Sequence, residues 1–217
     1  MNTNQEMIAG AIFKSNKFGM MVVLEYIDSR NVKIKFKETG FVTTAKASNI
    51  KSGIVKDRYL PTVYGVGFSG GDRKSEKENN VAYSYWHGAM QRCYDKRYHA
   101  KKPTYKECRV CSEWHNFQNF ICWHNENYPS DGGVYQLDKD LLISGNKTYC
   151  PSACSYVTPK ENAQTNAKEY KMMSPNGDVV SILNLSDFCA DNGIDCSNAL
   201  KVIKGKVKSC KGWTRAI

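Results

Sequence analysis

The sequence predicts an α+β protein in three parts, and three patterns carry that expectation. Val32, Ile34 and Phe36 alternate with Lys33, Lys35 and Lys37, the period of a strand with one apolar and one cationic face. Trp86, Met90, Cys93 and Tyr94 recur at helical spacing, as do Trp114, Phe117 and Ile121. Beyond residue 169, a hairpin signal precedes two short helical stretches joined by a Gly-containing turn, the helix-turn-helix pattern. The expected architecture is a small N-terminal β-barrel-like domain, a central helical segment leading into a strand–loop–strand–helix unit, and a C-terminal β-hairpin with helix-turn-helix.

Residues 1–62 form the β domain. Met20 to Ile27 is rich in β-formers, Asp28-Ser29-Arg30-Asn31 is a turn, and Phe41 to Ala45 fits a third strand. The lysine face suits either phosphate contact or plain solvation. Residues 63–81 read as a linker. Gly65-Val66-Gly67-Phe68-Ser69-Gly70 matches a dinucleotide-binding pattern by letter, but the polar run Asp72 to Asn80 follows it instead of a helix. No small-molecule cofactor is expected there.

Residues 82–168 hold the two helical patterns, whose aromatics suit a core better than a stacking platform. A basic, aromatic loop from Lys96 to Tyr105 separates them. Val134 to Ile143 and Cys154 to Val157 are strand candidates around the turn Ser144-Gly145-Asn146-Lys147. Thr158 with Glu161 makes a capping box for a helix reaching about Ala167. In residues 169–217, Tyr170 to Ile182 is a hairpin turning at Pro175-Asn176-Gly177-Asp178. Asn184 caps a helix that buries Leu185, Phe188 and Cys189 and ends at Gly193. A second helix runs from about Cys196 to Lys204, packs Leu200 and Ile203, and stops at Gly205.

The formal net charge of +10 turns attention to anionic partners. No apolar run is long enough to span a bilayer, and neither a basic amphipathic helix nor a lipidation motif is present, so a membrane is not expected. No secretory signal is visible in Met1 to Gly10, and a cytosolic location is expected. Double-stranded DNA is the leading partner class, with an acidic host protein as the other. The charge concentrates from Cys196 onward, where Lys201, Lys204, Lys206, Lys208, Lys211 and Arg215 occur without any Asp or Glu. Ser197, Asn198 and Lys201 would face outward near the start of the second helix, where a recognition helix meets base edges. A solvated basic tail is the plainer alternative.

Nine cysteines, an odd number, argue against a disulfide framework. Cys108 and Cys111, then Cys150 and Cys154, form two close pairs about forty residues apart, a spacing that fits a tetrahedral structural Zn2+. Four buried thiols in a core fit as well.

Val157-Thr158-Pro159-Lys160-Glu161-Asn162-Ala163 resembles the strand-to-helix junction closing the HNH (ββα-metal) core of phage homing endonucleases. Leu137-Asp138-Lys139-Asp140 followed by Gly145-Asn146-Lys147 resembles the first strand and loop of that core. Tyr85-Trp86, Arg92-Cys93-Tyr94, Trp114 and Phe117 resemble the segment preceding it in many phage proteins. Asn184 to Phe188, Gly205-Lys206 and Lys211-Gly212-Trp213 resemble the modular DNA-binding repeat attached to such enzymes. The resemblance covers roughly residues 82–217 and implies a phage-infected bacterial cell as the setting.

The resemblance also implies metal-assisted phosphodiester hydrolysis with Mg2+ or Mn2+. Asp138, with Asp140 beside it, stands at the first ligand position and Asn162 at the helix ligand position. Lys139 stands where the family has its general-base His, and Tyr149 falls near the family's central Asn. A lysine is a poor base at neutral pH. Two readings therefore stay open, an HNH-type nuclease and a degenerate HNH-like DNA-binding protein.

Overall fold

The computed structural model describes residues 6–71, 79–165 and 169–216. The N-terminal part is an antiparallel sheet in the order β1 (Ile12–Lys14), β2 (Met20–Asp28), β3 (Asn31–Phe36), β4 (Val42–Ala45). Val32, Ile34 and Phe36 are fully buried while Lys33 and Lys35 are exposed, as the alternation predicts. The Asp28 carboxylate accepts the amides of Arg30 and Asn31 and so sets the β2–β3 turn. The expected barrel does not close: the sheet stays open, with β1 and β4 at its edges. β1 is too short to bridge the gap, and a short helix closes the core instead. This is α1 (Ala47–Lys51), which buries Ile50. The turn after it is tied to the end of β1, where the Ser15 hydroxyl donates to the carbonyls of Gly53 and Val55.

Residues 63–71 are not a free linker. The Phe68 amide donates to the His115 carbonyl at 2.9 Å, the Phe117 amide to the Phe68 carbonyl at 3.0 Å, and the Gln118 side chain to the Ser69 carbonyl at 2.7 Å. Residues 72–78, most of the polar run read as linker, lie outside the described residues.

The central part contains α2 (Asn80–Tyr94), α3 (Lys96–Lys101), β5 (Arg109–Val110) and α4 (Phe117–Asn127). Trp86, Met90, Trp114, Phe117 and Phe120 have no exposed surface, which makes the aromatic stripes a core. The basic aromatic stretch is helical at its start, because the Asp95 side chain caps α3 through the Arg97 amide. Trp114 precedes α4 rather than belonging to it. It sits in a single 3-10 turn (Ser112–His115), and Asn116 caps α4 by accepting the Gln118 amide.

The strand–loop–strand–helix unit is β6 (Gln136–Asp138), β7 (Thr148–Tyr149), β8 (Ser155–Val157) and α5 (Pro159–Thr165). β6 pairs antiparallel with β8, setting Leu137 opposite Tyr156 and Asp138 opposite Ser155. The sequence predicts a first strand over Val134 to Ile143, and the strand that forms is far shorter. The Asp138 carboxylate accepts the amides of Asp140 and Leu141 at 2.9 and 2.6 Å, which diverts the backbone from a ladder. β7 pairs parallel with β5, a pairing the sequence does not suggest. The capping box forms as expected, with the Thr158 amide donating to the Glu161 carboxylate and the Glu161 amide to the Thr158 hydroxyl.

The C-terminal part is a sheet in the order β10-β9-β12-β11, from β9 (Tyr170–Met173), β10 (Val179–Ile182), β11 (Ser209–Cys210) and β12 (Trp213–Arg215). It packs with α6 (Leu185–Asp191) and α7 (Cys196–Ile203). Residues 206–216 are thus no loose basic tail: β12 pairs with β9, and Trp213 meets Phe188 edge-to-face at 4.8 Å. The buried face of α7 centres on Ala199 and Val202, with Ile203 beside them. Leu200 is only half-buried, so the face is turned by one residue from the expected one.

Candidate phosphate-binding cleft and basic two-helix module

A cleft of about 610 Å³ opens over the ββα unit, between α2, the segment from Tyr98 to Cys108, and β6. Asp138, Lys139, Asp140 and Asn162 all line it, so this group is brought together. Gln136 and Asp138 lie two residues apart on one face of β6, with buried Leu137 on the other. The Asn162 side chain on α5 donates to the Gln136 side-chain oxygen at 2.5 Å and ties the helix to that strand.

Lys139 is buried. Its ammonium meets Asp140 Oδ2 at 2.8 Å and donates to the Asn146 carbonyl at 2.9 Å. Asn146, absent from the expected site, holds the loop: its Nδ2 donates to the carbonyls of Lys139 (2.6 Å) and Thr148 (2.7 Å), and its Oδ1 accepts the Thr148 amide. Replacing Asn146 with alanine strands those backbone groups, and a loss of about 2–3 kcal/mol in denaturant unfolding is expected. A loss below about half a kcal/mol, the size of an ordinary surface change, would contradict that role.

Two further groups line the cleft: Tyr149, which the resemblance sets near the family's central Asn, and Arg92, which the sequence did not mark as a site residue. The Arg92 guanidinium lies 6.0 Å from the centre of the Tyr149 ring and 3.5 Å from its hydroxyl. Burial pushes the Tyr149 phenol above its ordinary value, with Arg92 pulling the other way, so Tyr149 stays protonated at neutral pH and serves as no base. Arg92 gave no signal beyond its place among helix residues, because its position depends on β7 arriving beside α2.

No His lines the cleft among the described residues. His99 meets the Arg92 carbonyl and His115 the Val110 carbonyl. His124 is buried, its Nδ1 2.6 Å from the Tyr156 hydroxyl, and burial lowers its pKa from the ordinary 6.5. The folded state therefore holds His124 neutral while the unfolded chain takes up a proton. The stability this contributes is full above about pH 6.5 and is lost as pH falls through the lowered folded value. The urea midpoint should fall between about pH 7.5 and about pH 5.5, and His124→Gln should flatten that fall. An identical fall in the variant would assign it to other groups.

Among the described residues, no group of three or more His, Cys, Asp or Glu side chains is placed to hold a metal ion. Asp138 Oδ1 already accepts two amides, Asp140 is paired with Lys139, and the Asn162 amide is bonded to Gln136. A catalytic Mg2+ or Mn2+ held by these residues would have to replace some of those bonds. The four cysteines are also divided. β5 and β7 run in register, so Cys111 and Cys150 are neighbours, and Cys154 is near enough for their charges to be felt. Cys108 instead lines the cleft near Cys93 and Lys139. Among the described residues, Cys108, Cys111, Cys150 and Cys154 are not gathered as a metal-holding group.

In the C-terminal module, Ser197, Asn198 and Lys201 are exposed on α7, away from Ala199 and Val202, and Lys204 is exposed at its C-cap. The Asp195 side chain caps the helix through the Asn198 amide. Lys206, Lys208 and Arg215 are exposed around the β11–β12 hairpin that follows. Lys211 serves the fold itself. Its ammonium donates to the Gly193 carbonyl at 2.5 Å, tying that hairpin to the turn between the helices.

Fold and site thus define an α+β protein with a polar, cation-bearing cleft over a short ββα unit and a basic two-helix module. No protein-family model matches the sequence, and no curated protein matches it. A solved structure described as DNA binding and cleavage by the HNH homing endonuclease I-HmuI is similar, at 19% identity and a TM-score of 0.22. The similarity covers 45% of this chain and 65% of that one, less than two thirds of that protein's length. No helix among the described residues is long and apolar enough to cross a membrane.

Proposed function

We propose that the protein binds double-stranded DNA, with α7 as the element that meets the duplex. The observation that carries this is the exposed face of α7, where Ser197, Asn198, Lys201 and Lys204 stand together on a helix whose other face is buried. Lysines supply phosphate attraction, and short polar side chains near the helix start suit base edges. The resemblance of Asn184 to Phe188 and of Lys211-Gly212-Trp213 to a modular DNA-binding repeat points the same way. Fluorescence anisotropy of a labelled duplex over a salt series tests the reading. Phosphate contacts give a steep fall of affinity with salt, about 0.9 in log–log slope for each contact. Flat salt dependence, or failure of unlabelled DNA to compete, would redirect the basic surface to an acidic protein.

HNH-type cleavage is the second reading, favoured by the gathering of Asp138, Asp140 and Asn162 beside Arg92 and Lys139 in one cleft. In the arrangement described, neither Lys139 nor Tyr149 stands ready as a general base. Lys139 is ion-paired, and Tyr149 stays protonated. The check is nicking of supercoiled plasmid with Mg2+ or Mn2+, against EDTA and Asp138→Ala. Metal-dependent nicking lost in the variant would establish cleavage. Salt-sensitive binding without nicking would support the degenerate, DNA-binding reading.

A further inference from the structure

The N-terminal sheet domain has no part in the function proposed above, yet residues 1–62 hold ten Lys and Arg against five Asp and Glu. The strand face with Lys33 and Lys35 is not where that excess is strongest, since Glu25 is the register partner of Lys33 on β2. The cations instead meet around a groove of about 710 Å³ between edge strand β4 with the start of α1 and the segment from Val55 to Arg58. Arg30, Lys46, Lys56 and Arg58 line it, and no Asp or Glu does among the described residues. Nearby carboxylates are engaged elsewhere: Asp28 holds the β2–β3 turn, while buried Asp57 accepts the Thr39 hydroxyl and the Tyr59 amide.

Neutral donors complete the lining, in Asn31, Thr44 and Asn49. The groove is also rigidly based. Phe41 stacks on Tyr59 at 5.1 Å and Tyr59 on Phe68 at 5.6 Å, and the Phe68 backbone is bonded to His115 and Phe117 of the central part. Arg58 donates to the Ser69 hydroxyl at 3.2 Å, which fixes one cation at the junction. Cations gathered with neutral donors are the chemistry that receives a phosphodiester backbone.

We propose that this groove is a second DNA-backbone site, which holds phosphates of the duplex engaged by the C-terminal module. It rests on the DNA-binding reading and extends it to the N-terminal domain. The test uses the full chain, a short duplex of arbitrary sequence and a KCl series. Arg30→Gln, Lys46→Gln and Lys56→Gln are combined, and Arg58 is kept because it bonds Ser69. A slope shallower by about 2.7 is expected, three contacts at about 0.9 each. A folded triple variant with the wild-type slope would overturn the groove while leaving DNA binding intact. A wild-type protein without salt-sensitive binding would overturn both. A measurement independent of the variant's folding is acetylation of Lys46 and Lys56 in the wild type, read by mass spectrometry. Protection by the duplex is expected, and equal modification with and without it would refute the site.

Discussion

Exchanging Lys201 and Lys204 for glutamine should weaken affinity for duplex DNA about thirtyfold at about 0.15 M salt. The figure follows from counterion release, since two lost phosphate contacts remove about 1.8 from the log–log salt slope. Lys201 is exposed on α7 and Lys204 at its C-cap, and the helix is held by contacts their side chains do not make. Ala199 and Val202 anchor it in the core, and Asp195 caps its start. The paired change should therefore leave the unfolding midpoint nearly unmoved while the salt slope flattens. An unchanged slope with an unchanged midpoint would remove α7 from the interface. A Lys211→Gln variant should behave differently. Its ammonium braces the turn at Gly193, so loss of that charge-assisted bond should register in stability as well as in binding.

The second large effect concerns the central core. Trp86→Ala should cost about 3–5 kcal/mol, a large share of the roughly 5–15 kcal/mol that holds a typical domain. Trp86 is fully buried, and its indole N–H donates to the Trp114 carbonyl at 2.6 Å. A Cβ built on Gly67 would lie 2.8 Å from its ring, so closely does the segment before α2 pack there. Truncation opens a cavity and strands the Trp114 carbonyl. It also loosens the segment that carries Phe68 to the junction with the N-terminal sheet. Trp86→Phe keeps much of the burial and should cost less, which separates the cavity from the hydrogen bond. Denaturant unfolding monitored by far-ultraviolet circular dichroism reads both. A cost below about 1 kcal/mol for the alanine variant would mean the core has closed over the gap.

Local features were legible in the sequence because their causes span only a few residues. The alternation of Val32, Ile34 and Phe36 with lysines reports which face of a strand is wet. Thr158 and Glu161 cap a helix whatever surrounds them, and Gly177, with φ of 92°, turns the β9–β10 hairpin where the chain needs a left-handed residue. The exposed face of α7 follows from helical period alone, give or take the one-residue shift that buries Ala199 and Val202 rather than Leu200.

What the sequence left open depends on which backbone meets which. The parallel pairing of Arg109 with Thr148 joins segments far apart in the chain, and it sets Cys111 beside Cys150. The same pairing brings Tyr149 to Arg92 and so makes the cleft cationic on a side no motif marked. Asp138 drew attention by its resemblance to a ligand position, but its use as the acceptor that ends β6 was not legible, because that follows from the path of the next three residues. The basic residues after Gly205 were legible as charge; only the tertiary structure decided that β12 joins β9 and holds them beside α7. Composition and period thus determined that the chain is an α+β protein with cations to offer an anion. Long-range pairing decided where those cations converge, because strand partners are chosen by the whole fold and not by the residues alongside them.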